Sequence, residues 1–287
     1  MTRPSLDISA GRAAFGDDPA AYHAARPPYP EELFDVLRRR CGLGPSAAVL
    51  EIGPGTGLAT ERLLAAGADP LLAIEPDARL VAFLETRLGS VSLDVRLASL
   101  EAARLPDGVF DLGVAATSFH WLDQASALAK VGAALRPGGW WAMWWMNFGG
   151  EGAPDPFQAA TNHLFAETPR SPSHGRKGGP SFAMDREARL TDLAGAGFVD
   201  AKVDYWPLIL TFESSRLQAL YATYSPIQAL PPAKRATFLA ELGAIADRDF
   251  GGAVERPFST ILYTARRPQC ARRRVPSPPG RYAPPPP

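Results

Sequence analysis

Cysteine is nearly absent from this chain: Cys41 and Cys270 are the two, far apart in sequence. Two such residues make no disulfide framework and no cysteine metal site. Histidine is scarce as well, and the spacing of His163 and His174 does not suggest a metal site; no metal is expected. An excess of either charge is also missing, with Lys plus Arg and Asp plus Glu at 30 each. That balance removes the global electrostatic case for nucleic acid or an anionic membrane as partner. No apolar run approaches the ~20 residues that span a bilayer. The N-terminal Met-Thr-Arg-Pro-Ser-Leu-Asp lacks the apolar stretch of a signal peptide. A soluble, cytoplasmic protein without membrane or nucleic-acid partner is expected.

Apolar residues are plentiful, at 46% of 287, enough for one large α/β domain with an elaboration or for two small domains. Residues 1–30 read as an irregular N-terminal arm ending in Arg26-Pro27-Pro28-Tyr29-Pro30. Pro30, with Glu31 and Glu32 behind it, suits a helix start. Strand patterns at 48–52, 70–74, 93–97, 110–115 and 140–146 then alternate with helical patterns at 60–66, 78–88 and 123–135. Such alternation predicts a doubly wound, mostly parallel sheet covered on both faces, with ligands outside the carboxyl ends of the strands. Residues 147–190 and 213–250 read as insertions forming a helical lid, with helices predicted at 157–167, 187–194, 213–223 and 232–247. Strands are predicted at 203–212 and 259–265. The main domain therefore spans 31–267, and the Arg/Pro-rich 268–287 is expected to be a disordered tail.

The sharpest local signal is the apolar run ending in Glu51-Ile-Gly53-Pro-Gly55-Thr-Gly57. A buried strand that ends in a glycine-rich turn lets bare backbone approach a ligand. Its G-x-G-x-G spacing departs from the dinucleotide fingerprint at Leu58, and no P-loop lysine follows. Glu75 ends the second strand, where a carboxylate can accept hydrogen bonds from both hydroxyls of a ribose.

Four elements in order, Glu51-x-Gly53-x-Gly55-x-Gly57, Glu75, 105–111 (Leu-Pro-Asp-Gly-Val-Phe-Asp) and 135–139 (Leu-Arg-Pro-Gly-Gly), resemble the class I S-adenosylmethionine-dependent methyltransferases. More narrowly they are similar to the small-molecule, type-11-like group. The resemblance covers about residues 20–265. It implies a seven-stranded Rossmann-like sheet with an antiparallel last strand, S-adenosylmethionine as cofactor and a small organic molecule as methyl acceptor. An NAD-dependent oxidoreductase on a similar sheet is the alternative, disfavoured by Leu58 and by Pro137-Gly138-Gly139; a non-catalytic S-adenosylmethionine-binding relative is another. No Asn-Pro-Pro-Tyr-type motif follows the fourth strand, against action on an extruded base.

The resemblance also implies site residues. Gly53, Gly55 and Gly57 would wrap the methionine part of the cofactor, with Glu51 orienting the turn and reaching the amino group. Glu75 would hold the ribose, and Ser99, Leu100 and Glu101 would flank the adenine, although the family often has an aspartate where Ser99 stands. Thr117, Phe119, His120 and Trp121 follow the fourth strand and would face the transferring methyl, His120 being the candidate base. Arg26 would meet the cofactor carboxylate, and Tyr22 or Tyr29 would close the pocket. Burial accounts for most of Trp140, Trp141, Trp144 and Trp145; Trp145, Met146 and Asn147 lie nearest the ligand edge. His163, Arg170, His174, Arg176 and Lys177 in the insertion, and Tyr221, Tyr224 and Ser225 nearer the C-terminus, are further acceptor-side candidates.

Overall fold

The computed structural model describes residues 3–149 and 155–269. Its elements in chain order are α1 (Ile8–Ala13), α2 (Pro19–Ala25), α3 (Glu31–Cys41), β1 (Val49–Ile52), α4 (Thr60–Ala65), β2 (Leu71–Glu75), α5 (Ala78–Leu88), β3 (Leu93–Leu97), β4 (Phe110–Ala116), α6 (Gln124–Ala134) and β5 (Leu135–Phe148). Then follow α7 (Pro156–Thr161), α8 (Arg186–Gly195), β6 (Val199–Glu213), α9 (Ser214–Ala222), α10 (Ser225–Gln228), α11 (Pro232–Phe250) and β7 (Ala253–Arg266).

One sheet of seven strands runs in the order β3-β2-β1-β4-β5-β7-β6. The pairs among β1 to β5 are parallel, whereas β7 lies antiparallel between β5 and β6. The Rossmann-like architecture with an antiparallel last strand is therefore present. Every residue of β1 and β2 is buried, as a strand covered on both faces requires. One core, with Leu128, Val131, Trp141 and Trp145, fills one face of the sheet, and a second, with Leu33, Phe34, Leu63 and Trp144, fills the other. A third core, around Phe157, Leu217, Tyr221, Phe238 and Leu242, belongs to the C-terminal helices, packed on the long ends of β6 and β7.

Three expectations change. The N-terminal arm is not irregular: Asp18 accepts from the Ala21 N–H and Pro19 opens α2, a strong helix start that the alanines extend. The helix expected at 157–167 is split into α7 and a tighter 3-10 stretch, Asn162–Glu167. The last two strands are longer than their patterns, because β6 and β7 pair over 253–266, beyond the sheet and into the third core. Residues 270–287, most of the Arg/Pro-rich tail, and 150–154 lie outside the described residues.

Candidate active site

β1 and β4 are neighbours where the strand order reverses, the place at which open α/β sheets leave a crevice outside their strand ends. A cavity occupies it. Gly53, Pro54, Gly55 and Thr56 form its floor after β1, and Glu75 stands on one side after β2. Ser99 and Leu100 follow β3, Thr117 and Ser118 follow β4, and the arm covers the whole with Arg12, Phe15, Tyr22 and Tyr29.

The glycine turn is specified by contact and by space. At Gly53 (φ +67°) an added Cβ would stand 2.7 Å from Ser118 Cβ, so the turns after β1 and β4 touch. Ser118 Oγ fastens them by donating to the Ile52 carbonyl at 2.6 Å. At Gly55 (φ +58°) the Cβ position is open space, and the residue lines the cavity. Gly57 does not line it; a Cβ there would meet Leu84 of α5 at 2.5 Å.

Two carboxylates stand at this turn. Glu75 is almost fully buried and accepts at Oε2 from the Gly55 N–H and at Oε1 from the Asp77 N–H, both 3.1 Å. Burial outweighs these bonds and pushes its carboxyl up to about 7. Glu51 is fully buried beside the turn, and burial pushes it up to about 8. Its Oε2 accepts from Thr60 Oγ1 at 2.8 Å, and its Oε1 is buried with no hydrogen-bond partner.

Thr117 sits in the left-handed region (φ +56°), costly for a β-branched residue by roughly 1–3 kcal/mol. Its N–H donates to the Trp144 carbonyl at 2.8 Å, and its Oγ1 lies 3.1 Å from Tyr29 Oη. The strained backbone is thereby held from the sheet and from the arm at once.

Beyond Thr117 opens a second chamber of about 560 Å³. Phe15, Tyr22, Thr117 and Trp121 line both cavities, which therefore adjoin. The arm supplies Arg3 and Arg26, β5 supplies Trp145, Met146 and Asn147, and the C-terminal helices supply Tyr221, Tyr224 and Ser225. His120 faces this chamber, and Trp145 Nε1 donates to its Nδ1 at 3.0 Å. Burial, with the charge of Arg26 added, holds the imidazole down to about 3. Phe119 turns away and is fully buried in the core.

A family model described as a methyltransferase domain matches residues 50–143, which hold the glycine turn, Glu75, Thr117 and His120. A methyltransferase of Schizosaccharomyces pombe, itself uncharacterized, is 26% identical over 231 residues, 80% of this chain and 86% of that protein. An uncharacterized methyltransferase of Mycobacterium tuberculosis is 36% identical over 148 residues, 50% of this chain and 56% of that one. Phosphoethanolamine N-methyltransferase 2 of Haemonchus contortus, solved with S-adenosylhomocysteine, shares the fold at a TM-score of 0.55 and 12% identity. The likeness covers 88% of this chain and 58% of that enzyme, so this chain spans little over half its length.

The chain carries a methyltransferase domain, on the fold of enzymes solved with S-adenosylmethionine or S-adenosylhomocysteine.

The residues of this site fit S-adenosylmethionine. The unpartnered Glu51 Oε1 is an acceptor waiting for a cationic donor such as an α-ammonium, and the open space at Gly55 is a cradle that a side chain would fill. Not every expected contact is gathered in the first cavity. Ser99, Leu100, Glu75 and Thr117 line it, and Glu51 lies behind its wall. Glu101 does not line it; its carboxylate pairs with Arg12 at 3.0 Å. Arg26 lines the second chamber and not the first. In the insertion, Arg176 and Lys177 are exposed, His163 is exposed beside Glu241, Arg170 bonds the Gly175 carbonyl, and His174 alone of the five lines the chamber.

Several lining residues carry no sequence signal. Arg12 and Phe15 belong to the arm, and Gln158 and Asn162 to the insertion. Only the Asp18-Pro19 start of α2 marks the arm as structured enough to place them. Among the described residues no group of three or more His, Cys, Asp and Glu is placed to hold a metal ion, and no helix is long and apolar enough to cross a membrane.

Proposed function

We propose that this methyltransferase transfers its methyl group to a small organic acceptor seated in the second chamber, releasing S-adenosylhomocysteine. The observation that carries the reading is that Phe15, Tyr22, Thr117 and Trp121 line both the cavity over the glycine turn and the adjoining chamber of about 560 Å³. That volume lies within the range of small-molecule sites, and the arm and C-terminal helices contribute to its walls.

Bound S-adenosylmethionine supplies an activated methyl on a sulfonium. In this reading Glu75, fixed by the Gly55 and Asp77 N–H groups, accepts the ribose hydroxyls. Glu51, behind the wall, orients the turn and reaches the ammonium from its unpartnered oxygen directly or through water. Leu100 lies against the adenine, and Ser99 offers a hydroxyl to its edge. Thr117 stands where the two cavities adjoin and sets the height at which acceptor and donor meet. Proximity and alignment carry the catalysis. His120 does not act as the base that its residue type suggests. Its Nδ1 lone pair is used by Trp145, and a group held to about 3 is a poor proton acceptor at neutral pH.

The test is label transfer from methyl-tritiated S-adenosylmethionine to a pool of small metabolites, to RNA and to protein. Label in the small-molecule fraction, with matching S-adenosylhomocysteine, is the expected result. Label only in RNA or protein would overturn the reading.

A further inference from the structure

The second chamber has a one-sided chemistry that goes further than its size. Two of its hydrogen-bond donors are buried without a partner: Arg26 Nε and Asn147 Nδ2. An unsatisfied buried donor costs ~1–3 kcal/mol, a cost that a bound acceptor atom removes. His120 adds a third donor. The indole N–H can only donate, so His120 Nδ1 must accept from Trp145, which puts the ring proton of the neutral imidazole on Nε2.

The charge has the same sense. Arg3 and Arg26 line the chamber, and among its described lining residues there is no aspartate or glutamate. Arg3 spends its N–H groups on Thr168 and the Pro169 carbonyl, so it contributes field rather than contact. Arg26 is held flat between two rings, 4.8 Å from the Tyr22 centroid and 4.6 Å from that of Tyr224, with Nη2 donating to the Thr223 carbonyl at 3.3 Å. A guanidinium fixed in this way keeps its Nε edge for a planar oxyanion at little further entropic cost. A protonated amine would meet two guanidinium groups and no counter-ion. The rings of Trp121, Trp145, Phe148, Phe165 and Tyr221 line one part of the wall, and the uncharged polar side chains of Gln158, Asn162, Ser171 and Ser173 another.

We infer that the second chamber selects an acceptor carrying a carboxylate on an apolar, ring-sized body, received by Arg26, Asn147 and His120. The inference rests on the proposed seating of the acceptor in this chamber.

Calorimetry on the full chain tests it. S-adenosylhomocysteine is titrated first; if the wild-type protein does not bind it, the donor site is misplaced and this inference falls with it. The saturated protein is then titrated with phenylacetate and 3-phenylpropionate, and with the amide and amine of each skeleton. The acids are expected to bind about tenfold or more tighter than the amides, and the amines not at all. Arg26→Gln should bring acid and amide to within a few-fold of each other. Because Arg26 also packs between two rings, Asn147→Asp serves as the second variant: it keeps the shape, should abolish acid binding and should admit the amine. Equal binding of acid, amide and amine to the wild type, or no binding by either acid, overturns the inference. So does loss of S-adenosylhomocysteine rather than acid binding in folded Arg26→Gln, which would return Arg26 to the cofactor.

Discussion

The two cavities differ in their ionisable groups and in construction. The one over the glycine turn has the Glu75 carboxyl on its surface and Glu51 just behind, is floored by backbone, and has Arg12, paired with Glu101, in its cover. The chamber beyond Thr117 holds two arginines and no carboxylate among its described lining residues, and is walled by rings and by uncharged polar side chains. A cationic donor and an anionic acceptor would each find the complementary wall, and the strained Thr117 stands where the two meet. The first cavity is built from strand ends within one stretch of chain, 52–122, apart from its cover. The second draws on residues from Arg3 to Pro226. The proposed donor site is therefore a property of the sheet, and the proposed acceptor site a property of what is packed over it.

The sharpest way to break the comparison is to fill the backbone cradle. Gly55→Val places a branched side chain in open space that the cofactor is to occupy, at a left-handed position. S-adenosylhomocysteine affinity should fall about 100-fold or more, while circular dichroism keeps the sheet signal. Retained affinity would remove the turn from the donor site. Next in size, Glu75→Ala should weaken binding by ~1–3 kcal/mol, measured by calorimetry. An unchanged value would put the ribose elsewhere.

Proton linkage sharpens the same contrast. Glu75 and Glu51 are raised to about 7 and about 8 by burial, and ribose hydroxyls and an ammonium favour their charged forms. Binding should then lower both, so affinity should rise with pH through 7 to 8 and level off above. Calorimetry in buffers of different ionisation enthalpy should detect protons released near pH 6.5 and almost none near 9. Affinity that is flat across the window would contradict the assignment.

Without ligand, the sign for stability is the reverse. Glu51 is raised above its ordinary 4.5, so its contribution is fully present below about 4.5 and is lost as pH rises through about 8. Glu51→Gln still accepts from Thr60 and should stabilise the ligand-free protein at pH 9 by roughly 1–3 kcal/mol, the scale of an unpaired buried polar group. Thermal unfolding should show the gain shrinking toward pH 5. The smallest effect is expected for Tyr29→Phe, which removes one hydrogen bond to Thr117 and about 0.5–1.5 kcal/mol of stability.

The asymmetry also explains what could be read in advance. The turn at 53–57 and Glu75 were legible because local backbone geometry demands those residues close to their strands. The seven-stranded sheet was expected from the family resemblance that the four ordered elements carry. Arg26 was visible as part of a motif, but the motif could not say which cavity it enters; that depends on Tyr224, nearly 200 residues away, closing on its other face. His120 looked like a base by residue type. Its role turns on Trp145, a partner from the neighbouring strand that sequence spacing does not reveal. Phe15 and Arg12 were missed because an arm packed over a cavity leaves no periodicity of its own.

The central claim is that donor and acceptor occupy the two cavities on either side of Thr117. A crystal structure of the full chain with S-adenosylhomocysteine tests it most directly. The account predicts the ribose hydroxyls on the Glu75 carboxylate, the amino group at Glu51 Oε1, the sulfur facing Thr117 and the second chamber still open. Density for the nucleoside in the second chamber, or a Glu75 carboxylate untouched by the ribose, would contradict it.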